Sequence, residues 1–187
     1  MKKWIILQSR YIFQTAFFRV RQDQCQLPSG LRVDDYYVIE ENDIGMVFGL
    51  TPARELLLVE QYKHGIGEYC LELPAGMFNG TDSADGENEA RREFVEETGY
   101  DAAQYHPVAH FIKNPTRQNN YVHVYAAIDV YPSGQQRLDA NEDIAVRLMP
   151  IQDVFERIRA GDIRAGDSVA AIYLGWDFVR RTLGVDE

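Results

Sequence analysis

The chain has 187 residues, 45% hydrophobic and 26% charged, a composition that suits one ordinary domain with a real core rather than a disordered tail or a membrane protein. With 19 Lys and Arg against 29 Asp and Glu, the net charge of −10 disfavours unspecific adhesion to nucleic acid or anionic lipid. A local site, aided by a divalent cation, can still hold one phosphorylated small molecule against that field.

The opening Met1–Leu7 begins like a signal peptide, but its apolar run stops at Gln8-Ser9-Arg10. No later stretch is apolar for long enough to span a bilayer. A soluble cytoplasmic protein that binds neither membrane nor nucleic acid is therefore expected. Cys25 and Cys70 stand far apart, outside any CxxC or zinc spacing, and read as reduced thiols.

Tyr11–Val20 and Asp35–Glu40 alternate β-branched or aromatic residues with polar ones and read as strands, with Pro28-Ser29-Gly30 as a turn between them. A second strand set follows at Ile44–Leu50 and Glu55–Tyr62, around the turn Thr51–Arg54. Cys70–Leu73 is a short apolar run ended by Pro74-Ala75-Gly76, and Asn79–Gly86 reads as a polar loop. A helix is predicted over 87–98, stopped by Gly99. Strands are predicted at 104–112, 121–130 and 144–149, then a helix over 151–160. A last amphipathic helix, capped by Asp167 or Ser168, runs to about Leu183. There is no internal repeat, and the mixture implies an α+β sandwich.

The helix Glu89–Thr98 is unusual. At about 100° per residue, Glu89, Glu93, Glu96 and Glu97 share an arc of roughly 100°, with Ala90 and Phe94 beside it to face a core. Like charges four residues apart cost a helix ~0.2–0.5 kcal/mol per pair. The cluster makes sense around a hard cation, which prefers oxygen ligands; the alternative is a solvated charged face.

Arg92-Glu93-Phe94-Val95-Glu96-Glu97-Thr98-Gly99-Tyr100 resembles the second half of the Nudix box, Arg-Glu-apolar-x-Glu-Glu-x-Gly-apolar, at every specified position. Leu71–Gly76 resembles the strand and turn that lead into it. The first half departs from the pattern. After five intervening residues Gly76 is followed by Asp82 in place of Glu, and nine residues rather than seven separate it from Arg92. Leu57–Lys63 with Gly65–Glu68 resembles the ADP-sugar pyrophosphatase branch.

The resemblance implies a Nudix-type α/β/α sandwich with a mixed sheet (residues 46–187), plus an N-terminal antiparallel strand extension (residues 1–45) that pairs with a second subunit into a homodimer. It implies a hydrolase dependent on Mg²⁺, with Mn²⁺ as a substitute. The enzyme would cut the diphosphate of ADP-ribose or another nucleotide sugar into a nucleoside monophosphate and a sugar phosphate. It makes Glu93 and Glu97 the main metal ligands, assisted by Glu96 and the Ala75 carbonyl. Arg92, paired with a loop carboxylate (Asp82, Asp85 or Glu87), and Gly99 would be structural.

Lys63 and Arg117 are the candidate phosphate-binding cations, with solvated surface charge as the alternative. The resemblance adds Gly76 and Pro115, which falls near where ADP-ribose-cleaving members carry a proline, to the expected substrate-binding set; the alternative for Pro115 is the start of a turn. Some members of the family carry a glutamate in the loop matching Asn114–Asn120. This loop holds none, so the resemblance leaves Glu93 or the Glu142-Asp143 pair as the catalytic base, the pair being otherwise only a polar turn. Tyr62, Phe111 and Tyr121 are candidate base-stacking groups, or core. Two alternatives stay open: a dinucleotide or GDP-sugar pyrophosphatase, and a nucleotide-sugar sensor that binds without cutting.

Overall fold

The computed structural model describes residues 2–78 and 83–184. The first three strands, β1 (Ile5–Gln14), β2 (Phe18–Gln26) and β3 (Arg32–Glu41), form their own antiparallel sheet in that order. The run Tyr11–Val20, expected as one strand, is instead the end of β1, a turn and the start of β2. No Gly or Pro marks the turn. The Thr15 hydroxyl makes it by accepting the N–H groups of Phe17 and Phe18, each at 3.1 Å.

The central sheet has seven strands: β4 (Asp43–Leu50), β5 (Glu55–Lys63), β6 (Glu68–Glu72), β7 (Ala75–Phe78), β9 (Tyr105–Ile112), β10 (Tyr121–Ile128) and β12 (Ile144–Pro150). Its spine runs β12-β5-β4-β10-β9, with β6 on β5 and β7 on β4. β4 and β10 are parallel and the other pairs antiparallel, so the sheet is mixed. A short pair, β8 (Tyr100–Asp101) with β11 (Tyr131–Pro132), lies outside it. β3 ends at Glu41 and β4 begins at Asp43, so the expected division between residues 45 and 46 falls inside β4.

Helices cover both faces. On one, α1 (Ser83–Thr98) packs Ala90 and Phe94 against Val47, Leu57, Tyr125 and Val130. On the other, α2 (Ile151–Ala160) and α3 (Gly166–Leu183) cover Phe48, Leu56, Leu58, Val122 and Val124. These two buried layers contain the large fully buried side chains and supply most of the apolar burial that drives folding.

Three boundaries differ from expectation. Ala75 and Gly76 pair with Met46 and Gly45 as β7 rather than only turning. The first helix starts at residue 83, because Gly86 lets it approach Phe78 and the Tyr125 hydroxyl; a Cβ there would lie 2.9 and 2.7 Å from them. The last helix is capped at Ala165. Asp167 and Ser168 sit in its first turn, where the Ser168 hydroxyl accepts the Leu73 N–H at 3.1 Å.

The N-terminal sheet is seated on the 113–120 loop. Ile39 N–H donates to Arg117 O at 2.7 Å, and the Tyr36 hydroxyl to Thr116 O at 2.6 Å. Exposed apolar side chains stand on both of its faces, among them Ile5, Ile6, Tyr11, Ile12 and Phe13 of β1, with Phe17 exposed in the turn that follows.

Candidate active site

Two glycines of β4 set the height of α1 above the sheet. A Cβ on Gly45 would lie 2.8 Å from the Ala90 Cβ, and one on Gly49 2.7 Å from the Phe94 ring. With that face of α1 pressed down, the face carrying Glu93 and Glu97 falls beside β7. A Cβ on Gly76 would lie 2.0 Å from the Glu93 Cγ, so only glycine admits this side chain.

Glu97 is the most buried carboxylate of the cluster, 8% exposed. It accepts a backbone hydrogen bond from Ala75, and its Oε2 is buried without a partner. Burial, then the charges of Glu93 and Glu142, push its pKa up to about 8. Burial also raises the Glu93 pKa, while Arg92 opposes the rise. Glu142 stands on the turn before β12, near enough for its charge to act on both.

Arg92 does not reach for a loop acid among the described residues. It binds Glu89, Glu93 and Glu96 of its own helix, which raises its pKa, chiefly through Glu89. Asp85 and Glu87 are already helical, so the alternatives of a loop carboxylate at those positions fail. Asp82 lies outside the described residues. Glu96 is drawn toward Arg92 and lies 3.7 Å from Arg137. Gly99 ends the helix with φ +72°, a left-handed conformation that favours glycine.

A cleft of about 710 Å³ opens beside these carboxylates. Glu97, Ala75, Gly76 and Lys63 line it, over an apolar floor that includes Ile44, Met46, Val59 and Leu73. Lys63 pairs with Glu72 and donates to Gln61 at 2.8 Å. Two further cations line the cleft. Lys113 lies 3.4 Å from Asp167, and Arg164 pairs with Glu68. Neither was legible as a site residue, because Lys113 merely follows a strand and Arg164 sits between two glycines in no motif.

The structure does not bring Pro115 and Arg117 into this cleft. Both are exposed on the 113–120 loop, and the Arg117 guanidinium lies 6.0 Å from the Tyr36 ring centroid. Tyr62 alternates away from Gln61 and Lys63 and meets Tyr69 edge-on at 5.7 Å. Phe111 packs against the core, and Tyr121 lies against His110 at 5.8 Å. His123 does not line this cleft; its Nε2 meets the Asp43 carboxylate at 3.0 Å.

No three His, Cys, Asp or Glu side chains among the described residues are already gathered as a metal cage. The donor set nevertheless fits a hard divalent cation. The orphaned Glu97 Oε2 and the half-buried Glu93 are carboxylate oxygens with too few cations of their own.

The sequence matches the family model of the NUDIX domain over residues 43–170, and that of the nucleoside diphosphate sugar hydrolase N-terminal domain over residues 4–39. Among curated relatives, a protein named ADP-ribose pyrophosphatase from Bacillus subtilis (strain 168) is 23% identical, covering 86% of each chain. Another of that name from Mycobacterium tuberculosis is 25% identical, over 89% of this chain and 80% of that one. A methanol dehydrogenase activator from Bacillus methanolicus is 23% identical over 89% of each. A solved structure described as an ADP compounds hydrolase superposes with a TM-score of 0.83, at 19% identity, over 99% of this chain and 98% of that one; it shares the fold.

Proposed function

Because the chain belongs to the NUDIX family, we propose that it hydrolyses the diphosphate linkage of a nucleotide sugar, ADP-ribose first among them. The products are a nucleoside monophosphate and a sugar phosphate. The observation that carries this reading is the pairing of Glu93 with the buried Glu97 beside a cleft that Lys63 lines. Relatives named ADP-ribose pyrophosphatase support the choice of substrate.

Glu93 and Glu97, with the Ala75 carbonyl, would hold Mg²⁺ or Mn²⁺. When bound, the cation neutralises phosphate oxygens and lowers the pKa of water. Lys63 adds a point charge toward the diphosphate. Gly76 keeps the wall of the cleft bare so that Glu93 stands at its edge. Glu142 is the candidate to take the proton of the attacking water. Asp139 N–H ties its Oε2 at 2.9 Å. Water oxygen bonds to one phosphorus as the bridging P–O bond breaks, and the leaving phosphate takes the electron pair.

The many exposed apolar side chains of the N-terminal sheet support a homodimer built through residues 1–45, with residues 46–187 as the catalytic domain. No described helix is long and apolar enough to cross a membrane, and we place the enzyme in the cytoplasm.

The test is incubation of pure protein and Mg²⁺ with ADP-ribose, other ADP-sugars, GDP-sugars and dinucleotides, followed by chromatography for monophosphate. AMP released fastest from ADP-ribose is expected. Tight binding of ADP-ribose with no AMP would replace the enzyme by a sensor. Faster turnover of a GDP-sugar or a dinucleotide would move the substrate.

A further inference from the structure

The connection between β11 and β12, residues 133–143, is clamped to the C-terminal end of α1. A helix leaves its last four carbonyls without intrahelical partners, and α1 has no basic residue in its last turn to meet them. The connection supplies donors instead. Ser133 and Gly134 N–H groups donate to Gly99 O at 2.8 and 3.1 Å, and Arg137 N–H donates to Glu96 O at 2.8 Å. The Ser133 hydroxyl adds a bond to Gly99 O at 3.1 Å.

Gln136 differs from these because one side chain joins two elements. Its Nε2 donates to Glu97 O at 2.6 Å and to Ile144 O at 3.1 Å. A primary amide carries two N–H hydrogens, so both bonds are made together. Glu97 is the buried carboxylate of the site, and Ile144 opens β12. The chain from residue 136 to residue 144 is thus closed into a loop at a single amide.

Inside that loop Glu142 N–H donates to Asp139 O at 3.0 Å, and Asp139 N–H returns to the Glu142 carboxylate at 2.9 Å. Glu142 therefore stands on a tight turn, two residues from the point of closure. The same amide that closes the loop grips the backbone of the glutamate Glu142 must face.

We propose that Gln136 is a positioning residue, whose amide fixes the distance between the Glu142 turn and the Glu93–Glu97 pair. The proposal rests on the reading of Glu142 as the base. Without the amide, two carbonyls must turn to water and the 136–144 loop is free to swing. A misplacement of about 1 Å can cost ~10²-fold in rate.

The experiment measures kcat and KM for ADP-ribose in Mg²⁺ with Gln136→Met, Gln136→Lys, Glu142→Gln and the double variant Gln136→Met/Glu142→Gln. Gln136→Met keeps the shape and removes both bonds. It should lower kcat by roughly 10- to 100-fold and leave KM within about 2-fold. Gln136→Lys should recover most of kcat, because an ammonium can donate to both carbonyls and suits a helix C-terminus. In the Glu142→Gln background the Met change should add nothing, since it acts through the group already removed. Ser133→Ala is the control. It loses one bond at the same helix end, where two backbone donors remain, and should keep the parental kcat.

Parental kcat in Gln136→Met, multiplicative losses in the double variant, or an equal loss in Ser133→Ala would each overturn the positioning role while Glu142→Gln stays impaired. If Gln136→Met does not fold, Gln136→Lys at parental kcat supports the proposal, and Gln136→Lys as slow as Glu142→Gln overturns it. If Glu142→Gln itself runs at the parental rate, the base reading fails, and the proposal with it.

Discussion

Replacing Glu97 by Gln should stabilise the metal-free protein while removing its activity. The folded carboxyl, pushed up to about 8, keeps its proton where the unfolded chain, near the ordinary 4.5, has lost it. The folded state therefore binds more protons between these values, and stability falls as pH rises through that window. At pH 7 the loss amounts to about 3 kcal/mol, at ~1.4 kcal/mol for each pH unit crossed. Gln carries no charge and escapes this loss. It can keep the hydrogen bond from Ala75 through its carbonyl oxygen, but its NH₂ group takes the place of Oε2, which has no partner.

An unsatisfied buried donor costs ~1–3 kcal/mol, so the net gain at pH 7 is about 1 kcal/mol. For a chain of this length that raises Tm by roughly 2–4 °C. The assay is thermal melting in EDTA from pH 5 to pH 8, with initial rates in Mg²⁺ on the same samples. The parent should lose stability steadily across the range, and Glu97→Gln should vary less. Mg²⁺ should raise the Tm of the parent and leave the variant almost unmoved. A variant that melts below the parent at pH 8 in EDTA, or follows the same pH slope, would refute the burial argument. Parental turnover in the variant would remove Glu97 from the site.

Gly76→Ala should cut kcat at least 10-fold with the fold intact by circular dichroism, because the new methyl displaces the Glu93 side chain; an unchanged rate would show that Glu93 need not stand there. EDTA should abolish turnover, with Mg²⁺ or Mn²⁺ restoring it, and undiminished rates in thoroughly chelated buffer would end the metal reading. Light scattering at micromolar concentration should give a dimer. Phe13→Asp with Phe17→Asp, which charge two exposed aromatic positions at the turn end of β1, should shift it toward monomer. A parent that is already monomeric would count against that interface.

Much of the candidate site's carboxylate pattern was legible because it is local. Glu93, Glu96 and Glu97 share a helix face by its period alone, and Ala90 and Phe94 fall beside that face, toward the core, for the same reason. Gly99 as a helix stop follows from backbone sterics, and it carries φ +72°. The short apolar stretches of β4, β5, β9, β10 and β12, bounded by turn or polar residues, likewise reveal strands from neighbouring residues. Where the sequence misled, a nonlocal or unmarked interaction was responsible. The turn at Thr15 is made by a hydroxyl rather than by Gly or Pro. β7 exists because β4 offers it an edge.

Tertiary packing decided the rest. No spacing rule places Lys113 or Arg164 with Lys63, since they come from distant positions and meet only when β5, the end of β9 and the start of α3 surround one cleft. Pro115 and Arg117 looked equally suitable by residue type, but hydrogen bonds to β3 hold their loop against the N-terminal sheet. The sequence by itself determined which carboxylates stand on one face. Only the tertiary structure decided that Glu97 would be buried and that Glu142 would come near enough for its charge to act on both glutamates. Burial and charge pairing are sums over neighbours in space, and a linear pattern does not contain those neighbours.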